Sequence, residues 1–288
     1  MAGHKLAKRR EAELAAVRAI ARAEARAIGA TRSISIVDHV KMDFSKALMV
    51  IAFPGHGRAA SVSAYYLIDA LKMKRVASIS SSRFPPMAVV RNGHPYPPIG
   101  IYSAPMVCGL DGNCNQVVVV TSEITPHPLI MEPLADVLLS WAEEKRVSSF
   151  IALESLEVPE DVHPPGESHD LKVYSVTTSK ARKMSKFLKS EALGDGLLSG
   201  FTGLFSAKAE LTGRALACLI VEAHPGYTDA RAAAELVKIM APLLPKLSLD
   251  TEPLYEKAGE IEESLKGQIA AHELAFGKLS RESEAMFR

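Results

Sequence analysis

Four short stretches of the chain are apolar throughout or at their centres: Ala47 to Phe53 (ALMVIAF), Gln116 to Thr121, Ser148 to Glu154, and Ala215 to Val221. A strand with one wet face alternates apolar and polar residues, so uninterrupted runs of this length predict strands buried on both faces. Between them the period changes. Val62, Tyr65, Tyr66 and Leu71 recur at helical spacing within Ala59 to Leu71, and a second helix is predicted from about Pro128 to Lys145. Such alternation is that of a largely parallel sheet covered on both sides by helices.

The remaining segments have other characters. Arg75 to Cys114 contains short strand-like pieces broken by Pro and Gly, with Asn92-Gly93 and Asp111-Gly112 as hairpin turn signals, and reads as an antiparallel insert or edge. After the polar loop Pro159 to Asp170, a strand is predicted at Leu171 to Val176 and a basic helix from Ser179 to Lys189. Gly196 to Val237 reads as a Gly-rich turn, helix, buried strand, Pro-Gly turn and second helix. Beyond Pro245, Leu254, Ala258, Ile261, Leu265, Ile269, Phe276 and Leu279 form an apolar stripe on a charged background, the pattern of a long helix packed on the domain or a partner. Three parts follow: a basic helical extension over 1–32, an α/β/α core over 33–249, and an amphipathic helix and tail over 250–288.

Composition narrows the function classes. The 288 residues are 48% hydrophobic and 23% charged, enough to bury a core without disulfides or metal. A formal net charge of +1 gives no reason to expect nucleic acid or an anionic membrane as partner. The basic segment 1–32 reads as a solvated helix to which no function is attached. No apolar run approaches the ~20 residues that cross a bilayer, and three cysteines without a secretory signal point to a reducing cytoplasm. Cys108 and Cys114 flank a Gly-rich turn, but no second ligand pair at metal spacing follows. Neither a metal nor another cofactor is expected.

Candidate chemistry gathers at the predicted strand ends. The turn Gly55-His56-Gly57, Glu123, Glu154, and the pair Glu222 and His224 all lie at or just after apolar strands, where open α/β sheets bind ligands. Carboxylates beside a histidine could perform acid/base work. The same acids could instead cap helices or pair with Arg58, Arg214 or Arg231, and that structural reading is the expectation. Gly200, with Gly196 and Gly203, either lets backbone N–H groups approach an anion at a helix start or allows close packing of a helix on the sheet; both readings stay open. Phosphate-loop and G-x-S-x-G templates are absent.

Two segments carry a family resemblance. FPGHGRAASVSAYYLIDAL from Phe53, and the G-x-x-S-G-x-x-G run from Gly196 followed by E-x-H-P-G-Y-x-D-x-x-A-A from Glu222, resemble the signatures of the proteasome assembly chaperone 2 family over roughly Ala47 to Leu244. Members more often carry Trp where this chain has His56. The resemblance implies a nucleoside-phosphorylase-like α/β/α fold, a homo-oligomer, and a non-catalytic chaperone that binds proteasome α subunits. The final Met286-Phe287-Arg288 is similar to the hydrophobic-Tyr-X tail that docks between α subunits, with Phe in place of Tyr; a frayed helix end is the alternative. From another class, a small-molecule enzyme or sensor using the strand-end crevice is the competing expectation.

Overall fold

The computed structural model describes residues 34–108, 114–158, 170–244 and 250–256, with 105–108 and 114–115 as backbone alone. Eleven strands are present among these residues: β1 (Ile34–Asp38), β2 (Leu48–Ala52), β3 (Lys74–Ser81), β4 (Val89–Arg91), β5 (His94–Tyr96), β6 (Ile99–Cys108), β7 (Cys114–Ser122), β8 (Ser149–Glu157), β9 (Val173–Thr177), β10 (Glu191–Ala192) and β11 (Ala215–Ala223). The helices are α1 (Ala59–Ala70), α2 (Pro128–Glu144), α3 (Arg182–Ser185), α4 (Gly200–Leu211) and α5 (Ala230–Met240). Nine strands form one sheet in the order β1-β3-β6-β7-β2-β8-β11-β9-β10, and β4 pairs with β5 in a separate hairpin.

The four apolar runs become the neighbouring strands β7-β2-β8-β11, all parallel. Alternate residues feed two cores. Leu48, Val50, Val119, Leu153 and Leu219 point to one side, and Met49, Ile51, Val120, Phe150 and Ile220 to the other. Helices α1 and α5 cover the first side, where the Ser63 hydroxyl donates to the Ala233 carbonyl at 3.1 Å and joins the two. Helices α2 and α4 cover the second. Phe205 of α4 is fully buried there, 5.7 Å edge-on to Phe150 and 5.8 Å from Phe201. The architecture is therefore an α/β/α sandwich around a parallel centre, as the hydrophobic pattern predicts.

The sheet turns antiparallel outward, through β7-β6-β3-β1 on one side and β11-β9 on the other. The insert between Arg75 and Cys114 supplies β6 and the hairpin β4-β5, whose turn holds Asn92 and Gly93, both at positive φ. Cys108 and Cys114 lie opposite each other in the β6-β7 register; the Asp111-Gly112 turn lies outside the described residues. At the far edge, the indole N–H of Trp141 and the ammonium of Lys145 donate to Asp38 at 2.9 and 2.5 Å, tying β1 to α2.

One element differs from its expectation. The basic segment from Ser179 to Lys189 does not form one helix but a 3-10 turn, Ser179–Ala181, and the four-residue α3. Only Ala181, Met184 and Leu188 are buried in it. The chain must also return along the sheet to place β10 parallel to β9, which leaves little length for a helix.

Past the core, residues 252–256 begin a helical stretch. Leu254 is buried in the α1/α5 core, and the Tyr255 hydroxyl donates to Glu235 of α5 at 2.5 Å. The stripe of Leu254 thus starts by packing on the domain. Its continuation, the 1–32 extension and the tail at Met286, Phe287 and Arg288 lie outside the described residues.

Because Phe205 fills the α4-to-sheet layer with no solvent contact, Phe205→Ala should destabilise the protein by about 3–5 kcal/mol, measured by urea unfolding.

Candidate functional site

The carboxyl ends of β2, β7, β8 and β11 all open on one edge, because the strands are parallel. The predicted residues arrive there but do not form one cluster. They divide among a cavity, a buried knot and two polar contacts.

The cavity has a volume of about 410 Å³ and lies between the end of β8, the start of α4 and the loop before α2. Gly55, His56, Glu154 and Gly200 all line it. Strand alternation points Glu154 toward the α2/α4 side, where Glu154 Oε1 accepts the Ser155 N–H at 3.0 Å and Thr202 provides a side-chain hydrogen bond. Burial pushes the Glu154 carboxyl above the ordinary carboxylate range, partly opposed by the Ser155 N–H, the Thr202 hydroxyl and the nearby His56. A Cβ on Gly55 would lie 2.6 Å from Glu154 Oε1 and 2.7 Å from Ser155 Oγ, so any side chain there would have to displace both groups. His56 reaches the rim, where Nδ1 lies 3.5 Å from Glu157.

The glycine run before α4 serves packing at one position. A Cβ on Gly203 would sit 2.0 Å from the Leu198 carbonyl oxygen, so the incoming loop folds directly against the helix there. Gly200 has φ +70° and open space at its Cβ position, and begins α4 with no side-chain cap from Ser199.

Gly57 and His224 belong to the knot. Gly57 has φ +56°, and a Cβ would lie 2.8 Å from both Asp229 Cβ and the His224 carbonyl oxygen. Asp229 joins the pieces: its carboxylate accepts from the His224 N–H at 3.1 Å and from Ala232 at the start of α5 at 2.9 Å. The Asp229 N–H donates to the Gly57 carbonyl at 2.7 Å. His224 is buried, its Nδ1 accepts from the Gly226 N–H at 3.1 Å, and its ring stacks on Tyr227 at 4.6 Å. The H-P-G-Y-x-D motif is thus a helix cap and loop clamp.

Glu123 lies apart, at the end of β7. It accepts from the Tyr65 hydroxyl and from Arg91 Nη2 at 2.6 Å, with Arg58 Nη2 at 3.8 Å. The Arg91 guanidinium lies 4.7 Å over the Tyr65 ring. Burial and the Glu123 carboxylate hold the Tyr65 hydroxyl well above its usual pKa. This network pins the β4-β5 hairpin to α1. Glu222 faces β9 instead, accepting from the Lys172 N–H at 3.0 Å and the Tyr174 hydroxyl at 3.2 Å. Of the suggested arginine partners, Arg58 approaches Glu123, whereas Arg214 pairs with Glu143 of α2 at 2.9 Å and Arg231 lies over the Tyr255 ring. The acid that caps a following helix is Asp229 rather than Glu123, Glu154 or Glu222.

Sequence reasoning overlooked Ser155, Tyr174 and Phe201 as cavity residues. Ser155 follows Glu154 directly and could have been found by extending the strand; Tyr174 and Phe201 come from elements whose positions only the folded chain sets. Among the described residues no group of three or more His, Cys, Asp or Glu could hold a metal ion. No described helix is long and apolar enough to cross a membrane.

An α/β/α sandwich with a parallel centre, a glycine-bearing turn after its first central strand and a capped H-P-G-Y-x-D clamp defines the class. The chain belongs to the PAC2 family, whose model matches residues 49–269. A Methanocaldococcus jannaschii relative, the uncharacterized protein MJ0106, is 23% identical over 257 residues, covering 88% of this chain and 98% of its own. Pyrococcus furiosus PbaA, an archaeal homolog of proteasome-assembly chaperone, superposes with a TM-score of 0.71 at 22% identity, over 89% of this chain and 100% of that one. Pyrococcus furiosus PbaB, an archaeal proteasome activator, does so with a TM-score of 0.69 at 22% identity, over 82% and 98%.

Asp229→Ala should destabilise the protein by about 1–3 kcal/mol in urea unfolding, because it removes the α5 cap and strands the buried His224 N–H. Glu154 gives a pH dependence of definite sign. Below about pH 4 the folded and unfolded chains both hold its proton. As pH rises the unfolded chain ionises first, so folding stability falls until the raised folded pKa is passed. Glu154→Gln should remove this loss, so the stability of the variant relative to wild type should rise with pH above about 4 and then level off in thermal melts.

Proposed function

We propose that the chain is a non-catalytic, cytoplasmic chaperone that binds proteasome α subunits. The observation that carries this reading is membership in the PAC2 family together with a fold shared, over most of both chains, with an archaeal assembly-chaperone homolog and a proteasome activator. The engagement of the predicted strand-end acids in structural contacts supports it: Glu123 is neutralised by arginines and Glu222 is held by Lys172 and Tyr174. Neither is left as an acid/base group facing a histidine.

Contact with the α subunits runs through Met286, Phe287 and Arg288, with Phe287 as the anchor. Burying Met286 and Phe287 gains ~1.5–3 kcal/mol each, while ordering three residues costs ~1–2 kcal/mol apiece, so one tail binds weakly. Several tails on a homo-oligomer raise avidity by about 10²–10⁴ if they engage together. Phe in place of Tyr gives up one hydrogen bond, ~0.5–1.5 kcal/mol, and weakens the tail without abolishing it.

Pull-down of the organism's own α subunits with the full chain, Phe287→Ala and a variant lacking the last three residues tests the proposal. The full chain should capture α subunits and scatter light as an oligomer. Both variants should keep that mass and lose most of the capture. Equal capture by all three would overturn the tail mechanism, and no capture by the full chain would overturn the function.

A further inference from the structure

We propose that the cavity at the carboxyl edge of the sheet is a binding site for a small amphipathic amine, with the ammonium group paired to Glu154. Nothing in the proteasome-binding reading uses this cavity.

Its size, about 410 Å³, falls within the ~300–1,000 Å³ usual for small-molecule sites. The walls are apolar, built from Phe53, Met131, Leu198, Phe201 and Ile220. Polar groups such as Tyr174 and Thr202 stand among them, and at the strand end Glu154 and Ser155 meet beside Gly55. Ser155 is only 5% exposed, yet its hydroxyl has no hydrogen-bond partner among the described residues. A buried hydroxyl left unpaired at a cavity wall is a group to which a ligand can offer a partner.

Charge selects the ligand class. The cavity lining includes two acids, Glu154 and Glu157, and one weak base, His56, but no lysine or arginine. His56 stands at the rim against Glu157, 3.5 Å away, and is half exposed. The hydrogen bonds to Glu154 come from Ser155 N–H and Thr202, both uncharged donors. Glu154 is partly buried, and a carboxylate withdrawn from water ordinarily has a cationic partner. The first turn of α4 also lines the space and would favour an anion, but a helix start amounts to roughly half a positive charge, less than one full carboxylate. An anionic ligand would therefore meet net repulsion, and an ammonium net attraction. The mouth fits an apolar body, since Leu197 is 92% and Leu156 48% exposed there.

Binding has a proton balance. Burial holds the Glu154 carboxyl above the ordinary carboxylate range in the empty cavity, so at acid pH it keeps a proton that a free carboxylate would have lost. An incoming ammonium ion keeps its own protons, the carboxyl gives its proton to the buffer, and an ion pair remains. Affinity should then rise with pH from about 4 until the carboxyl is fully ionised, and fall once the amine itself begins to deprotonate.

Calorimetric titration of the full chain with 2-phenylethylamine, 2-phenylethanol and 3-phenylpropanoate tests the site. The amine should bind one per chain, at least tenfold tighter than either of the others, releasing protons in two buffers of different ionisation enthalpy. Glu154→Gln should cost the amine at least tenfold and flatten its pH dependence, with the alcohol unaffected and the melting curve confirming a folded variant. Ser155→Ala, which keeps the carboxyl, should weaken the amine a few-fold. Preference for the carboxylate, amine binding indifferent to Glu154→Gln, or no binding of the amine at millimolar concentration would each overturn the proposal.

Discussion

Four parallel strands without an exposed face constrain everything else in this molecule. Strands β7, β2, β8 and β11 are apolar on both sides, and neither side can be left in water at ~25 cal/mol per Å² of apolar surface. Helices α1 and α5 must close one side and α2 and α4 the other. Parallel strands also require long crossovers, and these carry the helices to the places where they are needed. Polar chemistry is thereby expelled from the sheet faces to the strand ends, where the backbone is released from the ladder.

At the carboxyl edge the expelled groups are sorted by what lies above them. On the α1/α5 side, the glycine turn after β2 and the loop after β11 lock together through Asp229, so the two segments that carry the family resemblance form one piece of architecture. This explains why the second glycine of that turn lies in the left-handed region and tolerates no side chain. On the α2/α4 side no such clamp fills the space. The first turn of α4 reaches β8 through Thr202, and beside that contact a cavity lined by the partly buried Glu154 remains. Different coverings above one row of strand ends produce a rigid joint on one side and a receptive space on the other.

The clamp joins the turn after β2, the loop after β11 and the start of α5. The cavity belongs to the same edge, so occupancy there would be felt by α4 and by the loop that enters it, held against Gly203.

Uninterrupted apolar runs such as Ala47 to Phe53 and Ala215 to Val221 determined by themselves that a doubly covered parallel sheet would form, since no wet face is compatible with them. Local turn chemistry at Asn92-Gly93 likewise announced its hairpin, because φ > 0 at both positions is a short-range requirement. The grouping of the strand-end residues was decided elsewhere. Glu123, Glu154, Glu222 and His224 look equivalent along the chain, yet one is bound by Arg91, one lines a cavity, one faces β9 and one is buried in a clamp. Strand order and the side to which each residue points set those differences, and both depend on contacts between segments far apart in sequence. The shortened basic helix after Ser179 has the same cause: its local pattern was helical, but the need to return and pair β10 with β9 overrode it.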